Sequence, residues 1–178
     1  MDPSFDRKKE PIIIEDPKDY WQIKAQAEKD HLFELLRYGH LVEIEHIGST
    51  AVPGLAAKPV IDLMAKVKDF SKIDQIIDIL QKNSWIHIPA LEGEEEWRKY
   101  FIKLHNNKRV AHLHIVEEDS EKWDEHISFR DALRSTPTLV KEYAELKKKL
   151  ASQFTYNREQ YTSGKSAFIQ SVLNRRHN

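Results

Sequence analysis

The chain has 178 residues, about one domain's worth, and that length can bury a real core without disulfides or a structural metal. Its net charge of −1 gives no global pull toward nucleic acid or an anionic membrane, so any anion site has to be a local basic pocket. The absence of cysteine excludes disulfides, thiolate zinc sites and cysteine nucleophiles, and it suits a reducing cytoplasm.

Residues 1–10 are polar and are expected to fray, leaving 11–178 as a single domain. The start has no apolar segment of the kind a signal peptide needs, and no apolar run approaches the roughly 20 residues of a membrane span, so the expected location is the cytoplasm. Asp16-Pro17 reads as a helix start. Tyr20, Ile23, Ala27, Leu32, Leu35 and Leu36 then recur at helical spacing, and Gly39 ends the helix.

Residues 41–47 alternate as a strand, with Val42, Ile44 and His46 on one face and Glu43, Glu45 and Ile47 on the other. Residues 48–58 are turn-rich. Residues 59–67 form a second strand that is apolar on both faces apart from Asp62, the pattern of a buried central strand. Ser71 and Asp74 have capping-box spacing before a helix that turns Ile73, Ile76, Ile77 and Leu80 inward. A short strand is expected at 85–88, an acidic loop at 91–96, and a hairpin of 98–104 with 109–116 through Asn106-Asn107. The remainder is helical: from Ser120 to about Arg134, from Thr136-Pro137 through Leu139, Tyr143, Leu146 and Leu150, and one last helix from about Arg158 to Arg175 with Tyr161, Phe168, Ile169 and Val172 inward. The order implies an α/β or α+β fold, a mixed sheet of four to six strands packed with helices and ending in a helical C-terminal third.

Four groups of residues carry chemistry. Gly48-Ser49-Thr50 leaves a strand in a tight turn, where successive N–H groups and a hydroxyl can nest a phosphate; the same residues also suit a plain turn capped by Ser or Thr. Asp62 sits among apolar neighbours, where a carboxylate needs a partner. That partner is either a cation (Lys58, Arg98, Arg109 or Arg130) or a metal or proton at the mouth of a pocket. His112 and His114 are two apart on a strand, so they share a face and can bind a metal, bind phosphate or move a proton, with His46 a candidate to join them; half-buried structural histidines fit the spacing equally. Lys58, Arg130 and Lys165 are candidate counter-charges, and Arg134 shares a helix face with Arg130. Trp97 and Trp123 read as core aromatics.

The run Val42-Glu-Ile-Glu-His-Ile-Gly-Ser-Thr-Ala-Val-Pro-Gly-Leu-Ala-Ala-Lys-Pro-Val-Ile-Asp62 resembles the GrpB family, as do His112-Leu-His114, Phe129-Arg-Asp-Ala-Leu-Arg134, Tyr143-Ala-Glu-Leu-Lys147, Tyr161 and Lys165. That family is related to the nucleotidyltransferase-fold superfamily of DNA polymerase beta. The resemblance implies a nucleotidyltransferase-like mixed sheet, a Gly48-Ser49 turn for a triphosphate, and acids on the next strand for two magnesium ions. Asp62 matches one acid, but Met64 stands where the second belongs, and a third has no match.

Three outcomes remain open. In the first, Asp62, His112 and His114 together hold one divalent metal, magnesium or another. In the second, the site binds a nucleotide or phosphorylated small molecule without transferring it, as a binding or regulatory module. In the third, a histidine acts as acid and base in other phosphate chemistry. Phosphate contacts are expected from Gly48, Ser49, Thr50, Lys58, Arg130 and Lys165, and a cleft that serves a protein partner is the blandest possibility.

Overall fold

A computed structural model describes residues 10–37, 41–90 and 97–175. The expected helix end at Gly39, the acidic loop at 91–96 and residues 1–9 lie outside the described residues. The elements in chain order are α1 (Tyr20–Leu36), β1 (Leu41–Ile47), a 3-10 turn (Ser49–Ala51), β2 (Ile61–Val67), a second 3-10 turn (Phe70–Lys72), α2 (Ile73–Lys82), β3 (Trp85–Ile88), β4 (Lys99–His105) and β5 (Lys108–Glu117). Four helices follow: α3 (Glu121–Ser135), α4 (Pro137–Gln153), α5 (Arg158–Ser163) and α6 (Ser166–Asn174).

The five strands form one mixed sheet in the order β1-β2-β5-β4-β3. Among the described residues, the β2–β5 pair alone is parallel. A parallel neighbour needs a long crossover, and here α2, β3 and β4 lie between the two strands in the chain. The β4–β5 hairpin turns at Asn106 and Asn107, whose φ values of 49° and 58° are ones asparagine tolerates well.

One face of the sheet carries the larger core. Leu63, Ala65, Val67, Phe101, Leu113 and Ile115 point there, against Trp21, Leu32 and Leu36 of α1 and Ile76 and Leu80 of α2. The other face meets the helical third through a small cluster of Ile47, Met64, Val116 and Trp123. A separate cluster of Leu133, Leu139, Tyr143 and Val172 ties α3, α4 and α6 to one another and to Val52 and Leu55 of the loop after the first turn. The second face is therefore covered at one end and leaves a gap around Asp62 and His112.

Several local expectations are corrected. Helix α1 starts at Tyr20, not at Asp16-Pro17, because Glu15 is held extended by two backbone hydrogen bonds to Ala57. Its buried stripe is Trp21, Ala25, Leu32 and Leu36; Tyr20, Ile23 and Ala27 face solvent. A bulge between Leu41 and Glu43 turns Val42 outward. Asp69, not Ser71, caps the turn into α2, accepting from the Ser71 N–H at 2.8 Å. The last helix is two helices, broken around Gly164, where a β-carbon would meet Leu150 Cδ2 at 2.6 Å.

Candidate functional site

A cavity of about 410 Å³ lies between the second sheet face and helices α3 to α6. Of the expected site residues, Gly48, Ser49, Thr50, Lys58, Asp62, His112, His114 and Lys165 line it, and Arg130 does not. Strand register explains the grouping. Ile47 pairs with Asp62 across β1–β2, and Asp62 pairs with His112 across β2–β5, so all three side chains share one face. His46 pairs with Leu63 and faces the opposite side, away from His112 and His114.

Asp62 finds its hydrogen-bond partner in His112, not in any of the four cations that the sequence offered as one alternative: His112 Nδ1 lies 2.7 Å from Asp62 Oδ1. Burial acts to raise the Asp62 pKa, but the His112 hydrogen bond and the nearby positive charge outweigh it and hold the carboxyl below the usual range. With Asp62 ionised, His112 Nδ1 carries the proton and donates it, which leaves Nε2 with its lone pair. That Nε2 is buried with no hydrogen-bond partner. Burial pushes the His112 pKa down, only partly opposed by Asp62, so the ring is neutral at pH 7.

His114 sits in an aromatic setting. It stacks on Trp97 at 6.3 Å and packs against Tyr100 at 5.1 Å and His126 at 6.3 Å. Its Nδ1 accepts from Arg98, whose guanidinium lies over both Trp97 and Tyr100. Burial and Arg98 keep its pKa well down.

The turn after β1 is shaped by Gly48, at φ 70° and ψ −167°, a region only glycine enters freely. The first N–H groups of the following 3-10 turn have no acceptor within it. Its carbonyls and that of the strand before it are held from behind: Gln22 donates to Thr50 O, Arg134 to Ala51 O and Arg130 to His46 O. Thr50 is committed as well. Its hydroxyl donates to Val60 O, so His46 Nε2–H must donate to Thr50 Oγ1 at 2.9 Å. His46 is neutral, its pKa pushed down to about 4 by burial. Arg130 turns from the cavity to Glu45 and Asp131, and its place is support of the turn.

Sequence reasoning missed several cavity residues. Lys147, 2% exposed, donates to Ala56 O and lies 4.9 Å from the Tyr143 ring centre; the four-residue spacing of Tyr143 and Lys147 on α4 was the available signal. Arg158 also reaches the cavity unannounced, and Arg98 and Arg109, offered by the sequence as partners for Asp62, line it too. Among the described residues, six basic side chains thus line it, Lys58, Arg98, Arg109, Lys147, Arg158 and Lys165, against two carboxylates, Asp62 and Glu125. Burial first, and like charge after it, lowers Lys58 to about 8 and Lys147 to about 7. Lys58 and Lys165 both lie over the Tyr161 ring, at 5.5 and 4.7 Å.

The donors do not form a dedicated metal cage. Among the described residues no three carboxylate or imidazole groups converge on one point. His114 Nδ1 is taken by Arg98, and Met64 is wholly buried against Ile47, Val116 and Trp123. Glu45 stands opposite Met64, but it is paired with Arg130 and Lys29.

Residues 11–175 match the family described as GrpB protein, and the chain belongs to that family. A UPF0157 protein of Bacillus subtilis, YqkA, is 35% identical over 94% of this chain; the chain spans about half of that relative, 47% of its length. The crystal structure of conserved protein GrpB from Enterococcus faecalis superposes with a TM-score of 0.80 at 30% identity, covering 90% of this chain and 94% of that one. Cid1 poly(U) polymerase is a looser likeness, with a TM-score of 0.47 at 14% identity over 76% of this chain and 45% of that one. It says nothing about chemistry here. Among the described residues no helix is long and apolar enough to cross a membrane.

Proposed function

We propose that this member of the GrpB family binds a nucleotide or another phosphorylated small molecule in the cavity, with the Asp62–His112 pair placed to move a proton on it. One observation carries the reading: among the described residues, six basic side chains line one cavity in a protein whose net charge is −1. Crowding buried cations costs energy that a polyanion recovers. The N–H groups after Gly48 and the Ser49 hydroxyl would cradle one phosphate, and Lys58, Lys147 and Lys165 would neutralise it.

Asp62 orients His112 and stabilises its protonated form. Nε2 would accept the proton of an attacking hydroxyl in nucleotidyl or phosphoryl transfer. Magnesium, if it takes part, fits as an ion carried in on the phosphates, with Asp62 Oδ2 as the protein's contribution; this ion commonly binds through one carboxylate plus substrate oxygens. The second reading is a binding or regulatory module without transfer, and the apolar packing of Met64 where another acid would serve a metal favours it.

A thermal-shift panel of nucleoside triphosphates and pyrophosphate, with and without magnesium, separates these readings. Stabilisation that needs magnesium and vanishes in Asp62→Asn supports transfer. Metal-independent stabilisation supports the module. A panel without any shift rejects the phosphate site altogether.

A further inference from the structure

Glu10 lies far from its partners in sequence and against the cavity wall in space. Its Oε2 accepts from Arg109 Nε at 2.7 Å and from Arg158 at 3.0 Å, and Oε1 accepts from the Arg109 backbone N–H at 3.3 Å. Both arginines line the cavity. The segment that delivers Glu10 is fastened downstream of it. Ile12 is 4% exposed in a cluster with Leu150 and Tyr161, and its N–H donates to Thr155 O at 2.8 Å. Glu15 is bonded in both directions to Ala57. Residue 11 is Pro11, which fixes the backbone between Glu10 and the strap, so releasing the arginines takes a rotation of the Glu10 side chain alone and leaves the strap packed.

We infer that Arg109 and Arg158 form a second anion subsite of the cavity, in which the Glu10 carboxylate is an internal stand-in that an acidic group of the ligand displaces. The inference rests on the phosphate-binding reading of the cavity and adds to it a ligand with two separated anionic groups. Three features support it. Guanidinium forks accept carboxylate and phosphoryl oxygens alike. Lys58 feels the charges of Arg158, Arg109 and Asp62 together, so the subsite is electrostatically continuous with the Asp62 region. The Glu10 and Arg158 side chains are 23% and 26% exposed, so the exchange is open to a ligand from solution.

The test is a calorimetric titration of the wild type, Glu10→Gln and Arg158→Ala with pyrophosphate and, in parallel, with succinate at low salt. Glutamine keeps an oxygen acceptor for Arg109 and removes the competing charge. The expected results are binding about tenfold tighter in Glu10→Gln and about tenfold weaker in Arg158→Ala, the second a partly exposed position that tolerates truncation. A gain confined to pyrophosphate identifies the second group as phosphoryl, and a gain with succinate as carboxylate. Wild-type binding that Glu10→Gln leaves unchanged or weakens overturns the inference alone, making Glu10 a structural clamp. No binding of either anion by any of the three proteins sinks the cavity reading with it.

Discussion

Gly48 and Asp62 touch. A β-carbon on Gly48 would stand 2.7 Å from Asp62 Oδ2, so the turn facing the cavity and the carboxylate inside it meet only because residue 48 is glycine. Two independent constraints, this contact and a φ of 70°, fix the same residue.

Gly48→Ala is therefore expected to cost about 1–3 kcal/mol of stability, the usual scale of backbone strain, and to weaken phosphate binding by displacing Asp62. Denaturant unfolding and a nucleotide titration check the two effects. A fully stable variant with normal affinity would show that the close approach is unimportant.

Stability is expected to fall between pH 6.5 and pH 4. His46, His112, His114 and His126 all have pKa values lowered first by burial, so the fold favours their neutral forms. The unfolded chain binds protons that the folded one resists, and the stabilisation present above pH 6.5 is lost as pH falls toward the folded values. For His46, lowered to about 4, the loss between pH 6.5 and 5 is about 2 kcal/mol. Urea midpoints at pH 7.5 and 5.0 measure it, and His46→Gln should shrink the difference.

Anion binding is expected to take up protons near pH 7.5. Lys147, lowered to about 7, is mostly neutral there, Lys58, lowered to about 8, is neutral in a minority of molecules, and a bound phosphate raises both pKa values. Calorimetry in buffers of different ionisation enthalpy reads the uptake, and Lys147→Met should reduce it by as much as one proton. Uptake that is zero in the wild type contradicts ligand contact with these lysines.

Arg130 is expected to serve stability and not ligand contact. Arg130→Met leaves Glu45 without its main partner and the His46 carbonyl without its donor, at a cost of about 2–3 kcal/mol, below the range for a fully buried pair because Glu45 is partly exposed. The double variant Arg130→Met/Glu45→Leu should regain most of that loss and keep phosphate affinity within about threefold. A larger affinity loss in the stable double variant would return Arg130 to the site.

Local patterns carried much of the fold. The apolar run around Asp62 marked a buried strand because such runs suit few other places, and the Asn106-Asn107 pair marked the hairpin because both residues tolerate positive φ. The site was legible where it follows one strand, as with His112 and His114. It was illegible where register or long-range approach decides. His46 alternates correctly on β1, yet which side Asp62 takes is set only by the pairing of Ile47 with Asp62. Glu10 meets Arg109 and Arg158 across 99 and 148 residues, and no spacing reports such a contact. Arg130 looked like a free cation because its acceptors, Glu45 and the His46 carbonyl, come from a distant strand.

The most direct measurement is an equilibrium titration of the wild type and of Lys58→Ala/Lys147→Met with a nucleoside triphosphate at two salt concentrations. A cavity that binds phosphate through its cations gives saturable wild-type binding that weakens with salt and falls at least tenfold in the double variant. Equal affinity in both proteins, or no saturable binding of any phosphorylated compound by the wild type, would contradict it.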